Sequence, residues 1–320
     1  MTTSPLPSPW SPLPTDEWTE TLETLHLWTQ VVGKIRLVQS PWLNHSWSVV
    51  LYPTPSGLRS SLVPHEQGGF EITFDVLAER LTLETTDGAR RELALETRTV
   101  ADFYGDLMGM LASVGMPVEI STTPNELAEV IPFPEDTTHS TFEPDHARAL
   151  QRALIDGTRV MQRYRAGFRG KASPVHFFWG SFDLATTRFS GREAPAHPGG
   201  VPNFADDVAQ EAYSHEVTSV GFWPGNAEAP APIFYAYAYP TPDGFSDAAV
   251  QPSDAFWLDA LGEFALPHAA LVGADDPDAA LLSFFETTHA AAADLASWDR
   301  NGLECAHPDG PDWWVNRPHG

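Results

Sequence analysis

Residues 174–192 read PVHFFWGSFDLATTRFSGR. As an extended strand, one face carries His176, Phe178, Gly180, Phe182 and Leu184, and the other Val175, Phe177, Trp179, Ser181 and Asp183. Both faces are largely apolar, which predicts a strand in the middle of a sheet with cover on both sides. His176, Ser181 and Asp183 are then costly to bury unless each finds a partner. Regular alternation sends His176 and Asp183 to opposite faces, so a shared pocket requires a bulge at Gly180.

Two further strands are predicted downstream. In SHEVTSVGFWPG (214–225), His215 shares a face with Val217, Ser219 and Trp223, and Glu216 with Thr218, Val220 and Phe222. Beside the first strand, one face would gather Ser181 and Asp183 with either His215 or Glu216, cross-strand neighbours lying ~5 Å apart. An Asp183–His215 pair would orient an imidazole for acid or base work, whereas an Asp183–Glu216 pair would raise a carboxyl pKa. In IFYAYAYP (233–240), Tyr235 and Tyr237 alternate with alanines, giving a phenol wall that either closes a core edge or meets a ligand together with Trp179 and Trp223. Arg188 and Arg192 are candidates to clamp an anionic group, the alternative being salt bridges to Asp183 or Glu193. Helices are expected in SDAAVQPSDAFWLDALGEF (246–264) and in DPDAALLSFFETTHAAAADLASWDR (276–300).

Upstream, a helix is predicted from Thr15, with His26, Gln30 and Lys34 as an i, i+4, i+8 polar row facing solvent or a cleft. WSVVLYPT (47–54) and FEITFDV (70–76) read as strands, LTLETTDGARRELALE (81–96) as a hairpin turning at Asp87-Gly88, and MPVEIS (116–121) as a closing strand. Between the last two lies a helix capped by Thr99 and stopped by Gly115. A Pro-, Thr- and acid-rich loop near 124–143 marks a boundary, followed by a helix over 144–168 with Arg148, Arg152, Arg159 and Arg163 on one stripe. That stripe either pairs with acids or meets an anion. The units predicted are an arm over 1–14, α+β halves over 15–130 and 141–300, and an irregular tail over 301–320.

The chain has 18 Lys+Arg against 43 Asp+Glu, a formal net charge of −25, which disfavours nucleic acid and anionic membrane surfaces as partners. No Lys or Arg occurs between Arg192 and Arg300, so the C-terminal third is an acidic lobe, read as a solvated surface or a docking face. A single cysteine, Cys305, rules out an intramolecular disulfide and fits a reducing compartment; with no signal-like start or apolar span, a cytoplasmic location is expected. His26, His45, His176, His215 and Glu216 lack metal-site spacing, so no metal is expected, and GxGxxG, P-loop and GxSxG motifs are missing.

Several blocks occur together: TLHLWTQVVGKIRL (24–37), NHSWSVVLYPT (44–54), ADFYGDLM (101–108), GKASPVHFFWGSFDLATTRFSGR (170–192), EAYSHEVTSVGFWPG (211–225) and AAADLASWDR (291–300). Their combination resembles a bacterial domain family of unknown function. The resemblance implies that residues 15–300 are one evolutionary unit, and it carries no activity or site residue with it.

The expected fold is α+β, with two mostly antiparallel sheet-containing halves and covering helices. The expected function is that of a small-molecule enzyme with its pocket between the halves. Asp183, His215 and Glu216 are its catalytic candidates; His176, Trp179, Ser181, Arg188, Arg192, Tyr235, Tyr237 and Trp223 are its binding candidates, for a small anionic or aromatic molecule. A non-catalytic aromatic-walled binder and an acidic-surface interaction protein are the alternatives.

Overall fold

The computed structural model describes residues 9–15 and 17–307; the rest of the arm and tail expected at the two ends lies outside the described residues. Helix α1 (Thr19–Gln39) comes first, then strands β1 (Tyr52–Thr54), β2 (Gly57–Arg59), β3 (Val63–His65), β4 (Gly68–Asp75), β5 (Arg80–Thr85) and β6 (Arg90–Ala94). They form one antiparallel sheet in the order β1-β2-β4-β5-β6, with β3 also pairing β4. The alternation in 70–76 predicted this: Phe70, Ile72, Phe74 and Val76 are buried. The Asp87-Gly88 turn joins β5 to β6, with Gly88 at φ 89°. Helix α2 (Val100–Ser113) begins where Thr99 accepts a hydrogen bond from the Asp102 amide. A ring stack ties these elements into the core, with Trp28 4.7 Å from Phe103 and 5.7 Å from Phe142.

After helix α3 (Pro144–Ala166) the second half contains β7 (His176–Phe178), β8 (Asp183–Glu193), helix α4 (Asp206–Ala212), β9 (His215–Trp223) and β10 (Ile233–Tyr239). Strands β11 (Phe256–Leu258) and β12 (Glu263–Pro267) follow, then helices α5 (His268–Val272), α6 (Pro277–Leu295) and α7 (Arg300–Leu303). The second sheet is antiparallel throughout, ordered β11-β12-β10-β9-β8-β7. Helices α3 and α6 cover the face that carries Leu184, Val220, Phe222, Phe234 and Ala236.

Main-chain hydrogen bonds between Leu51 and Phe177, at 2.8 and 2.9 Å, link the two halves, and one apolar core runs from Trp10 to Ala292. Trp10 is pinned through its amide to Asp156 (3.1 Å) and through Nε1 to Asp278 (2.7 Å). The stripe on α3 is engaged by acids: Arg148 by Asp145 and Glu79, Arg152 by Asp156, and Arg159 by Asp156 and Asp278.

Four expectations are corrected. Residues 175–184 are not one strand but a hairpin, with Phe178 paired to Asp183 and the turn at 179–182 holding Phe182 at φ 59°. The pairing puts His176 and Asp183 on one face without a bulge at Gly180. Residues 246–264 form a 3-10 turn and the β11–β12 hairpin instead of helices, because Gly262 turns back at φ 69°. Residues 116–121 form no strand, and in 47–54 only 52–54 form one, Leu51 adding the isolated bridge to Phe177.

Candidate functional site

The uncovered face of the second sheet carries Asp183, Thr187 and Phe189 on β8, Val217 and Ser219 on β9, and Tyr235 and Tyr237 on β10. Above it lies a cavity of about 420 Å³. Its wall is built mainly of rings, among them Trp42, Trp47, Phe178, Trp179, Phe189 and Tyr237, closed on one side by α4 and the loop before it. Trp179 is held by a 2.9 Å hydrogen bond from Nε1 to the Val49 carbonyl, and Gly33 leaves the space its ring occupies.

Behind the wall, the Asp183 carboxylate accepts hydrogen bonds from Ser181 and from Tyr235. Tyr235 lies on β10 and Asp183 on β8, with β9 between them. The phenol crosses because its neighbour on β9 is Gly221: a Cβ there would stand 2.1 Å from the Tyr235 ring. Beside this pair the Tyr213 and Tyr237 hydroxyls are 2.9 Å apart, as are those of Thr187 and Ser219. Burial pushes the Asp183 pKa up against the lowering effect of its two donors, and burial with the adjacent Asp183 charge pushes Tyr235 well above the usual phenol range.

A second carboxyl reaches the cavity from the boundary loop. Glu126 sits at φ 60°, its side chain packed in the space that Gly180 leaves open. Burial, and next the charge of Asp183, raise its pKa to about 7. Glu263 on β12 is raised to about 7 by the same two causes. Among the described residues no protein group donates a hydrogen bond to the Glu126 carboxyl, whereas the neighbouring Asp183 is doubly bonded.

The polar row of α1 holds this loop. Gln30 exchanges two hydrogen bonds with the Asn125 backbone (2.7 and 2.9 Å), and Lys34 donates to its side-chain oxygen. His26 Nε2 donates to the Gly180 carbonyl at 2.8 Å. Burial lowers Lys34 to about 8 and His26 to about 4. The row faces a clamped loop and not bulk water. On another wall, His45 Nδ1 donates to the Ala212 carbonyl (2.9 Å), leaving Nε2 to accept from Lys171 (2.7 Å). Lys171 lies over the rings of Phe189 and Trp47, at 4.8 and 5.4 Å.

Of the residues singled out in the sequence, Ser181, Asp183, Trp179, Tyr235 and Tyr237 come together here. His176 shares their face but not the wall; it is buried, neither ring nitrogen has a hydrogen bond, and burial lowers it to about 4. Trp223 packs near Ile233 and Tyr235 at the end of the sheet. His215 does not meet Asp183, because the register pairs it with Glu193 at the opposite end of β9. Glu216 points to the helix-covered face, where it takes Arg192 at 2.6 Å and Ser190 at 2.9 Å. Arg188 is buried on that same face, bidentate to Glu286 at 3.0 and 3.1 Å and stacked on Tyr164. Neither arginine reaches the cavity. Glu126, Glu263, Tyr213 and Lys171 escaped the sequence reading, although Lys34 and Lys171 are the only two lysines and both flank the site.

Among the described residues no three His, Cys, Asp or Glu are arranged to hold a metal ion, and no helix is long and apolar enough to cross a membrane. No curated protein and no solved structure matches the chain. A family model does, over residues 10–305, nearly the whole length: the chain belongs to the Family of unknown function (DUF5996).

Proposed function

We propose that this protein is a small-molecule enzyme that takes its substrate into the aromatic cavity and exchanges a proton with it through Glu126. The observation that carries the reading is the Glu126 carboxyl: it lines an aromatic cavity without a protein hydrogen-bond donor, beside an Asp183 whose two oxygens each already accept one. Half-buried, Glu126 faces the cavity instead of a protein donor, as a carboxyl meant for a ligand would. A group poised near neutrality serves as base when ionised and as acid when protonated, the condition for general acid–base catalysis. Asp183 does not itself exchange the proton in this reading. Tied to Ser181 and Tyr235, it sets the charge that Glu126 feels.

A residue kept for chemistry is kept against stability. The folded-state pKa of Glu126 is raised, so the unfolded chain releases this proton first and the penalty on the fold grows as pH rises from 4.5 to about 7. Glu126→Gln is therefore expected to raise unfolding free energy at pH 8 by about 1–2 kcal/mol, allowing for partial exposure, and to change it little near pH 4.5. Urea unfolding at both pH values measures this. If the variant is less stable than the parent at pH 8, Glu126 is a structural partner and the reading fails.

A further inference from the structure

The charge around the cavity is one-sided. Its wall contains Glu126 and no Lys or Arg. Behind the wall Asp183 stands close enough to Glu126 to raise its proton affinity, and it does the same to Glu263. Of the two lysines that flank the cavity, Lys34 is spoken for by the Asn125 side chain, and Lys171 by His45 and by the faces of Phe189 and Trp47; neither is part of the wall. That arrangement also shows these aromatic faces accommodating an ammonium at 4.8–5.4 Å. Further rings line the cavity, Trp42, Phe178, Trp179, Phe204, Tyr213 and Tyr237, and each carries a π-system of the same negative-faced kind. The whole molecule, at a formal net charge of −25, attracts cations and repels anions over the distance of approach.

An anionic ligand would meet no Lys or Arg in the wall and would add charge beside Glu126 and the neighbouring Asp183. A neutral apolar ligand would leave Glu126 without a partner in a site now closed to water. An organic cation answers both requirements, the head matching the carboxyl and the body covering the rings. We infer that the cavity takes an organic ammonium, a protonated amine joined to an apolar or aromatic body, with its head at Glu126 and its body on Trp179, Phe178 and Tyr237. At about 420 Å³ the space suits a molecule of that kind. The inference rests on the cavity being a ligand site, as proposed above, and adds the chemical class of the ligand. Deprotonation of an ammonium by Glu126 is the proton exchange that then follows: the nitrogen lone pair is freed and the carboxyl becomes neutral.

Isothermal titration calorimetry at pH 8 on the full chain, with three probes of similar shape, separates the two levels. The probes are 2-phenylethylammonium, the neutral 2-phenylethanol and the anionic 3-phenylpropanoate. The ammonium is expected to bind at least tenfold tighter than the alcohol, and the carboxylate weakest. In Glu126→Gln the ammonium should fall to the affinity of the alcohol while the alcohol is unchanged. If the alcohol or the carboxylate equals the ammonium on the wild-type chain, the cation inference is overturned and the ligand site stands. If the tenfold preference survives in Glu126→Gln, the assignment of the head group to Glu126 is overturned. If none of the three binds, both the inference and the ligand site are overturned.

Discussion

Acidification from pH 6.5 to 4 is expected to strip several kcal/mol from the stability of this protein, with buried histidines as a main cause. His26, His176 and His268 each have their pKa lowered from 6.5 to about 4, burial being the first cause in all three. For a base whose folded pKa is depressed, the folded chain binds fewer protons than the unfolded one. The stability is therefore present above 6.5 and is lost as pH falls toward 4, where the folded form also protonates. The interval corresponds to roughly 3 kcal/mol for a fully buried ring. His176 isolates the effect, since neither of its nitrogens is hydrogen-bonded and its ring meets Phe178 edge-on at 4.5 Å. His176→Phe keeps the ring and removes the titration. Urea unfolding across this pH range should show about one proton fewer taken up on unfolding in the variant. An unchanged pH slope would mean that His176 is protonated in the fold or reached by water. His26 connects this loss to the site, because the same ring holds the Gly180 carbonyl under Glu126.

Gly221→Val is expected to destabilise the fold by about 3 kcal/mol and to uncouple Tyr235 from Asp183. A Cβ at this position would lie 2.1 Å from the Tyr235 ring carbon and 2.2 Å from its hydroxyl, so the ring has to leave its place across β9. The overpacking term is ~1–3 kcal/mol, and loss of one donor to a buried carboxylate adds about 1–2 kcal/mol. Urea denaturation of Gly221→Val, Tyr235→Ala and the double variant tests the cause. The two substitutions should be less than additive, because removal of the ring removes the clash. Simple additivity would show that the cost at 221 comes from elsewhere, such as the strand backbone.

The parts legible in the sequence were those decided by local rules. The Thr99 cap, the Asp87-Gly88 turn and the alternation of 70–76 each depend on residues within a few positions, and the elements stand where those rules put them. The 174–192 stretch was harder because its turn, Trp179 to Phe182, is as apolar as a strand, and Phe182 takes a positive φ without being glycine. In 246–264 the apolar spacing fits a helix, and only the return at Gly262 makes it a hairpin. Tyr235 and Tyr237 were legible as site candidates because alternation along β10 assigns them to one face, and Ser181 and Asp183 because polar groups in so apolar a stretch need a partner. Glu126 was not. Its position depends on the neighbouring Asn125, which is held by Gln30, 95 residues earlier, and by Asn203, and on the missing side chain of Gly180, none of which marks the loop locally. The Asp183–His215 pairing failed for a related reason, since register along a strand is set by the turn and the bulge between Phe189 and Glu193, not by alternation.

The central claim, that Glu126 is a proton-exchanging carboxyl held unpaired in the cavity wall under the influence of Asp183, is tested most directly by a carbon-13 NMR pH titration of the glutamate carboxyls. Glu126 is identified by its absence in Glu126→Gln. Its midpoint is predicted near 7 in the parent chain and lower in Asp183→Asn. A midpoint at the ordinary 4.5, unmoved by Asp183→Asn, would contradict the account.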